Sequence, residues 1–146
     1  MGTLKEALGA ETSKDAVVRD CCQLIDDEVK DKGGVSGFAI KAGYKAVQGV
    51  KPGFVRGVVV DLLPEFAEAL EPIYQKAKAD GGGIARYMTQ HSGDVADALL
   101  AITDEKASRS TNGIVKGTYG KLRGMAKKNV ETAVPRLAKL IETHAS

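Results

Sequence analysis

The chain has 146 residues and a mass of 15.4 kDa, which suits one compact domain. Its 43% apolar and 27% charged residues are typical of a globular protein and exclude a disordered chain. The two cysteines are adjacent, which excludes a disulfide framework and a cysteine zinc site, and a net charge of +2 is too small to indicate a nucleic-acid binder.

The first predicted helix begins after Ser13, a favourable N-cap, and ends at the glycines of the Asp-Lys-Gly-Gly run at residues 31–34. Its apolar residues recur every three or four positions, which indicates one buried face. These residues are Val18, Cys21, Ile25 and Val29. A second helix is expected over residues 35–50.

The third predicted helix begins near Pro52, which fits a first turn, and continues to about Lys78. Because Pro64 and Pro72 fall inside it, we expect a kink or a break at those positions. The β-branched run at residues 58–60 is too short and too isolated to build a sheet.

A glycine-rich linker over about 79–83 separates this helix from the second half of the chain. A short helix is expected over 84–90, and Ser92 is the expected N-cap of the next helix. After a polar break at residues 108–113, helix is expected from about Ile114 and again from about Met125 to His144, with Pro135 inside the last stretch.

The two halves of the sequence resemble each other in three blocks that occur in the same order. The aligned blocks are 18–28 with 95–105, 40–58 with 115–133, and 63–71 with 134–142. The identical positions are Val18/Val95, Asp20/Asp97, Ile25/Ile102, Asp27/Asp104, Glu28/Glu105, Lys41/Lys116, Tyr44/Tyr119, Gly49/Gly124, Val55/Val130, Pro64/Pro135, Ala67/Ala138 and Glu71/Glu142. Chance does not explain three ordered blocks, so the sequence predicts one internal duplication.

The expected fold is therefore all-α: a single-domain bundle of about six helices, made of two three-helix halves related by an approximate two-fold axis. A half of about 60 residues is small for an independent core, so the halves are expected to share one core. Repeat A is expected over about 14–78 and repeat B over 84–145.

Positive charge is concentrated in one segment of each half. Residues 31–60 carry five basic groups and one acidic group, and residues 106–146 carry nine and two. Within them, segments 32–60 and 106–130 contain no acidic residue. One interpretation is a basic face for an anionic partner such as phosphate, nucleic acid or an acidic membrane surface. The other, which we favour, is that acidic helices of one half lie beside basic helices of the other.

A Lys-x-x-Tyr pair occurs once in each half. Three-residue spacing places both side chains on one helix face, where a cation beside a phenol can bind an anion or lower the pKa of the phenol. The alternative, which we favour, is that each ring packs in the core and leaves its hydroxyl in water. The candidate anion-binding residues are Lys41, Tyr44, Lys45, Lys116, Tyr119, Lys121 and Arg123.

The remaining chemical groups do not form a recognisable catalytic or metal site. The repeated Asp-Glu pairs at 27–28 and 104–105 offer four carboxylates, but adjacent helical residues point about 100° apart and no Glu-x-x-His motif accompanies them. Cys21 and Cys22 align with an alanine and a leucine in the second half, which indicates core packing. We therefore expect no catalytic residue, no metal and no cofactor.

The chain resembles a family of small bacterial helical proteins that has no assigned activity. The resemblance extends over most of the chain and rests on three motifs: the Val-x-Asp…Asp-Asp-Glu block, the Lys-x-x-Tyr block and the Val-Pro-Arg-Leu-Ala-Lys-Leu-Ile-Glu tail. It implies a bacterial, all-helical protein, and it implies no functional residue.

These observations predict a non-enzymatic binding or scaffold protein that acts through contacts with a protein partner or a second copy of itself. One alternative is an anion- or lipid-surface binder that uses segments 32–60 and 106–130, without sequence-specific nucleic-acid binding. Another is a small-molecule or metal-dependent enzyme with its site between the repeats. With no leader and no membrane-spanning segment in the sequence, we expect a cytoplasmic protein.

Overall fold

The computed structural model describes residues 3–10 and 14–145, and this part of the chain contains seven α-helices and no strand. The helices are α1 (Leu4–Leu8), α2 (Lys14–Asp31), α3 (Gly34–Gln48), α4 (Phe54–Asp80), α5 (Ile84–Gln90), α6 (Ser92–Arg109) and α7 (Gly113–Ala145). The prediction of an all-α fold is confirmed. No helix of the described residues combines the length and the apolar character needed to cross a bilayer.

The sequence analysis did not predict α1, although the sequence contains its start signal. The Thr3 side chain accepts a hydrogen bond from the Glu6 backbone N–H at 3.1 Å, and the Glu6 carboxylate accepts one from the Thr3 N–H at 3.0 Å. This reciprocal capping box satisfies two N–H groups that a helix start leaves unpaired. Five residues do not form a stable helix alone, so α1 depends on the packing of Leu4 and Leu8, both buried one turn apart.

Glycines set the bounds of the next three helices. The N-cap predicted at Ser13 lies outside the described residues, but α2 ends at Asp31 as predicted. Gly34 opens α3 with a φ of 72°, and Gly53 precedes α4 with a φ of 73°. Both residues have left-handed backbone conformations, which favour glycine. Helix α4 thus begins two residues after Pro52.

Both long helices are continuous across their prolines, so of the predicted kink or break, the break does not occur. Helix α4 contains Pro64 and Pro72, and α7 contains Pro135. An interior proline removes one N–H donor and frees the carbonyl four residues earlier. All three prolines are exposed, so water can reach the freed carbonyls on the outer side of each helix.

In the second half, the linker and α5 lie where the sequence placed them, but two details differ. Ser92 is the first residue of α6 rather than its N-cap, which is His91. After the predicted polar break, residues 113–145 form one helix rather than two stretches. The Asn112 side chain starts α7 by accepting hydrogen bonds from the Ile114 and Val115 N–H groups at 2.9 and 3.1 Å.

The short helices pack on the long ones in the same way in both halves. Helix α1 packs on α4, and α5 packs on α7. The Glu71 carboxylate of α4 accepts a hydrogen bond from the Leu4 N–H at 2.7 Å, and the Glu142 carboxylate of α7 accepts one from the Ala85 N–H at 3.0 Å. Each long helix therefore caps the N-terminus of a short helix with a carboxylate.

The hydrophobic core occupies only one end of the bundle, which we call the packed end. Its buried side chains come from residues 4–18, 59–100 and 134–141, and they include Leu4, Val17, Met88, Val95, Val134 and Ile141, each less than 2% exposed. Polar contacts close this end, where the Tyr74 hydroxyl donates to the Ala145 carbonyl at 2.5 Å and His144 lies 2.7 Å from an Asp20 oxygen.

The other end of the bundle, residues 19–58 and 101–133, lacks such a core, and we call it the open end. Among the side chains that the structure describes, no apolar one in these two ranges is fully buried. Its exposed large apolar residues are Phe38 (77% exposed), Ile114 (53%) and Val58 (36%). The open end contains the acid-free segment 106–130 and all but the last two residues of segment 32–60, so the unfilled part of the bundle is also its most basic part.

Candidate functional site

An apolar groove of about 370 Å³ runs through the open end. Helices α3 and α7 form its walls, and each contributes four residues spaced i, i+3, i+4 and i+7, which is one face over two helical turns. These residues are Ile40, Gly43, Tyr44 and Val47 from α3, and Val115, Thr118, Tyr119 and Leu122 from α7. The volume lies within the range of roughly 300–1,000 Å³ that is usual for ligand-binding clefts.

Helices α2 and α4 complete the groove. They contribute Ile25, Val29, Phe54, Val55, Val58 and Val59. Among the lining residues that the structure describes, none is charged, and the polar ones are the two tyrosines and Thr118. The groove is open to solvent, so its apolar lining stays in contact with water unless another molecule covers it.

Gly43 allows the two walls to approach each other. A Cβ atom at this position would lie 2.9 Å from Cγ2 of Thr118 and 3.0 Å from Cδ1 of Leu122, closer than carbon atoms normally pack. The absence of a side chain at residue 43 therefore brings α3 against α7. This contact places residue 43 of one acid-free segment against residues 118 and 122 of the other.

Tyr44 connects one wall of the groove to α2. Its hydroxyl donates a short hydrogen bond to the Asp26 carboxylate. Burial of the ring and the neighbouring Asp26 charge both raise the pKa of Tyr44, because they disfavour a second negative charge. Lys41, one turn earlier on α3, is exposed and does not contact the ring as a cation–π partner.

Tyr119 makes the equivalent contact from the other wall. Its hydroxyl donates to the Asp104 carboxylate and lies 2.7 Å from the Thr103 hydroxyl oxygen. Arg123 holds Asp104 with two hydrogen bonds, of 2.8 and 3.1 Å. These bonds lower the pKa of Asp104, and burial together with the hydrogen bond to Asp104 raises the pKa of Tyr119.

The structure therefore brings both predicted tyrosines to one groove but changes their interpretation. Neither hydroxyl is left in water as the favoured alternative expected, because each is bonded to a carboxylate. Their pKa values are raised rather than lowered, so neither phenol is prepared to act as a base near neutral pH. The groove presents an apolar surface, and the lining residues that the structure describes hold no free group for acid–base chemistry.

Four of the five predicted cations remain available, and the fifth does not. Lys41, Lys45, Lys116 and Lys121 are exposed and form no ion pair within the part of the chain that the structure describes. Arg123 is committed to Asp104.

The Asp-Glu pairs and the cysteines serve the packing of the bundle. Glu28 accepts bonds from Lys32 at 3.1 Å and from Arg136 of α7 at 2.7 Å. Within residues 3–10 and 14–145, no three His, Cys, Asp or Glu side chains come together as a metal site. Cys21 packs against the core, and burial raises its thiol pKa to about 11, so the reactive thiolate is scarce.

The sequence analysis missed Asp26 and the apolar lining of the groove. Asp26 differs between the halves, so the comparison of the two copies gave it no weight, although it stands in the same acidic run as its neighbours. The lining was visible as the 40, 43, 44, 47 and 115, 118, 119, 122 spacings, but a spacing marks a face without showing what lies opposite it.

A comparison with protein families finds one match, to a family of unknown function (DUF6918), over residues 4–145. Neither the curated proteins nor the solved structures gave a match. The family match covers every described helix, from α1 to the end of α7. The chain therefore belongs to the DUF6918 family.

Proposed function

We propose that the chain is a non-enzymatic binding protein whose site is the groove of the open end, and that its occupant is an amphipathic α-helix of a protein partner. The observation that carries this proposal is the unfilled core: the packed end buries its apolar residues, and the open end presents a solvent-open apolar groove instead. A partner that covers the groove completes the bundle and removes apolar surface from water.

The shape of the groove favours a helix. Its two walls are helical stripes of about two turns, from Ile40 to Val47 and from Val115 to Leu122, or about 10 Å long at 1.5 Å per residue. The side chains of a third helix, spaced i, i+3, i+4 and i+7, fit between such stripes as they do in a helical bundle.

The hydrogen-bonding state of the groove also favours a helix. The hydroxyls of Tyr44 and Tyr119 are already bonded to carboxylates, so the lining has few polar groups to offer a ligand. A bound group must therefore satisfy its own hydrogen bonds, because unpaired polar groups are costly to bury. An α-helix does so along its backbone, whereas an extended peptide does not.

The proposal is tested with a labelled, lactam-stapled peptide of about four helical turns, with leucine at i, i+3, i+4 and i+7 and glutamate on both flanks. Val58→Asp places an unpaired charge in the groove and is expected to weaken binding at least about tenfold. Phe38→Asp is the matched control, because Phe38 is more exposed and does not line the groove. Fluorescence anisotropy measures both affinities.

Peptide binding that Val58→Asp weakens and Phe38→Asp leaves within about twofold supports the site. Absence of binding, or equal effects of the two variants, contradicts it. If anionic vesicles bind and the peptide does not, and Val58→Asp weakens vesicle binding, then the occupant of the groove is a lipid surface and not a helix.

We also infer that the two halves arose by duplication, with α1 as the counterpart of α5. Supporting observations are the paired carboxylate caps of Glu71 and Glu142 and the paired tyrosine contacts. Helices α2 and α6 each have 18 residues, and the tyrosine partners Asp26 and Asp104 occupy the thirteenth position of each. Matching these positions pairs each residue of α2 with the residue 78 positions later in the chain. The sequence alignment with the most identities pairs it with the residue 77 positions later, so the two pairings differ by one residue. Superposition of α2 on α6 and of residues 63–74 on 134–145 by one rotation near 180° tests the inference.

A further inference from the structure

We infer that the helix bound in the groove is acidic and carries its carboxylates on both flanks of its apolar stripe. This inference rests on the proposed function, and it specifies the chemistry of the partner. It is carried by the charges beside the groove, which are independent of the apolar lining.

Six cations at the open end share two properties. Each is exposed and forms no ion pair with any residue that the structure describes, and each directly follows or precedes a groove-lining residue, about 100° around its helix. They are Lys30, Lys41, Lys45, Arg56, Lys116 and Lys121. Because the lining residues that the structure describes carry no charge, these long side chains form a basic border beside an apolar centre, while the α2 side also carries the acids Asp26 and Glu28 next to lining residues.

The border includes both walls. Lys41 and Lys45 stand on α3, and Lys116 and Lys121 stand on α7, where Lys116 follows one lining residue and Lys121 precedes another. Most other cations of the open end are paired with acids, among them Lys106 with Glu65 at 3.0 Å. Lys51 and Lys128 form no ion pair within the described residues, but neither adjoins a lining residue. The unneutralised charge is therefore concentrated beside the groove, as electrostatic complementarity to an acidic ligand requires.

Two other occupants fit these observations less well. A second copy of the chain, docked groove to groove, would bring two basic borders together, and like charges across an interface are unfavourable. A bilayer presents a flat array of headgroups, whereas this site is a concave apolar groove with cations along both sides for about two turns. Carboxylates flanking the apolar stripe of a helix match both features at that scale.

The test compares the glutamate-flanked peptide with a peptide of the same apolar stripe flanked by lysine. The full chain is expected to bind the acidic peptide at least about tenfold more tightly, with affinity falling as salt rises from about 0.05 to 0.5 M. The variant Lys41→Glu/Lys116→Glu, with one reversal on each wall, is expected to abolish this preference. Lys51→Glu/Lys128→Glu is the matched control, because it reverses the same number of charges at exposed cations that form no ion pair within the described residues and adjoin no lining residue.

The outcomes separate this inference from the proposed function. If both peptides bind equally and Val58→Asp weakens both, the groove is a helix site and the charge inference is wrong. If Lys51→Glu/Lys128→Glu reduces the preference as much as Lys41→Glu/Lys116→Glu, the effect comes from net charge and the inference is also wrong. If neither peptide responds to Val58→Asp, the proposed function itself fails. Circular dichroism of each variant checks that the helices are retained.

Discussion

Replacing one apolar residue in each part of α7, the buried Ile141 and the partly exposed Leu122, tests the division of the bundle into a packed and an open end. Ile141→Ala, at the packed end, is expected to lower the free energy of unfolding by about 3–4 kcal/mol. Leu122→Ala, in the groove wall of the same helix, is expected to lower it by less than about 2 kcal/mol. Both changes remove three carbons, so a difference between the two losses of unfolding free energy reflects how tightly each side chain is packed.

The magnitudes follow from burial. Ile141 is 1% exposed, so three carbons at about 0.8 kcal/mol each give about 2.4 kcal/mol of lost transfer free energy. The sealed cavity left behind adds a further penalty of about 1 kcal/mol, because the removed atoms leave their neighbours without contacts. Leu122 is already partly exposed and lines an open groove, so its removal leaves no sealed cavity and only part of the transfer free energy is lost.

Urea denaturation followed by circular dichroism measures both losses. The comparison holds when the free energy of unfolding falls with urea concentration at the same slope in each variant. Equal losses for the two variants would refute the division, because they would mean that the groove end is packed as tightly as the core. A change in the urea dependence would instead indicate that the variant alters the unfolded state, and Val134→Ala, at a residue 1% exposed, then replaces Ile141→Ala.

Three further predictions concern the caps, the open end and the tyrosines. Glu71→Ala and Glu142→Ala are each expected to cost about 1–2 kcal/mol in urea denaturation and to speed amide exchange in the short helix that each carboxylate caps. Hydrogen exchange is expected to be faster in α3 and the first half of α7 than in the packed end, and equal protection would contradict the open end. Because the pKa values of Tyr44 and Tyr119 are raised, the neutral phenols stabilise the fold below the unfolded value of about 10, and this contribution is lost as pH rises above it. Urea denaturation at pH 8 and pH 10.5 should therefore show a larger alkaline loss for the natural chain than for Tyr44→Phe/Tyr119→Phe.

Glycine located the breaks between helices correctly because its effect on the backbone acts at its own position. The glycines at 33–34 and 81–83 separate helices where the sequence placed the breaks. The failures come from longer-range terms. A five-residue helix is unstable by itself, and α1 exists because Leu4 and Leu8 are buried against α4. An interior proline costs about 3 kcal/mol alone, and packing along α4 and α7 outweighs that cost.

The candidate site was predictable in part. Repetition of the Lys-x-x-Tyr pair identified the two tyrosines that the structure brings to one groove. Their carboxylate partners were not predictable, because these hydrogen bonds join α3 to α2 and α7 to α6, and contacts between helices depend on how the helices pack rather than on local spacing. Arg123 shows the same limit, since its charge suggested an anion site and its position commits it to Asp104.

The distribution of glycine connects stability with binding. Eleven of the 17 glycines lie in the open end, where the helices gain least from burial. They are Gly33, Gly34, Gly37, Gly43, Gly49, Gly53, Gly57, Gly113, Gly117, Gly120 and Gly124. Within a helix each glycine is about 1 kcal/mol less favourable than alanine, so these segments would fray without support.

The support comes from the packed end, because α4 and α7 are continuous helices with their C-terminal parts anchored in the core. Burial around Val134 and Ile141 thus extends α7 into a region where its own sequence favours helix weakly. Such a wall can adjust to an incoming side chain at little cost, since it has no fully buried contacts to break. A ligand that buries the groove supplies contacts that the open end lacks, so binding and stability at this end should rise together.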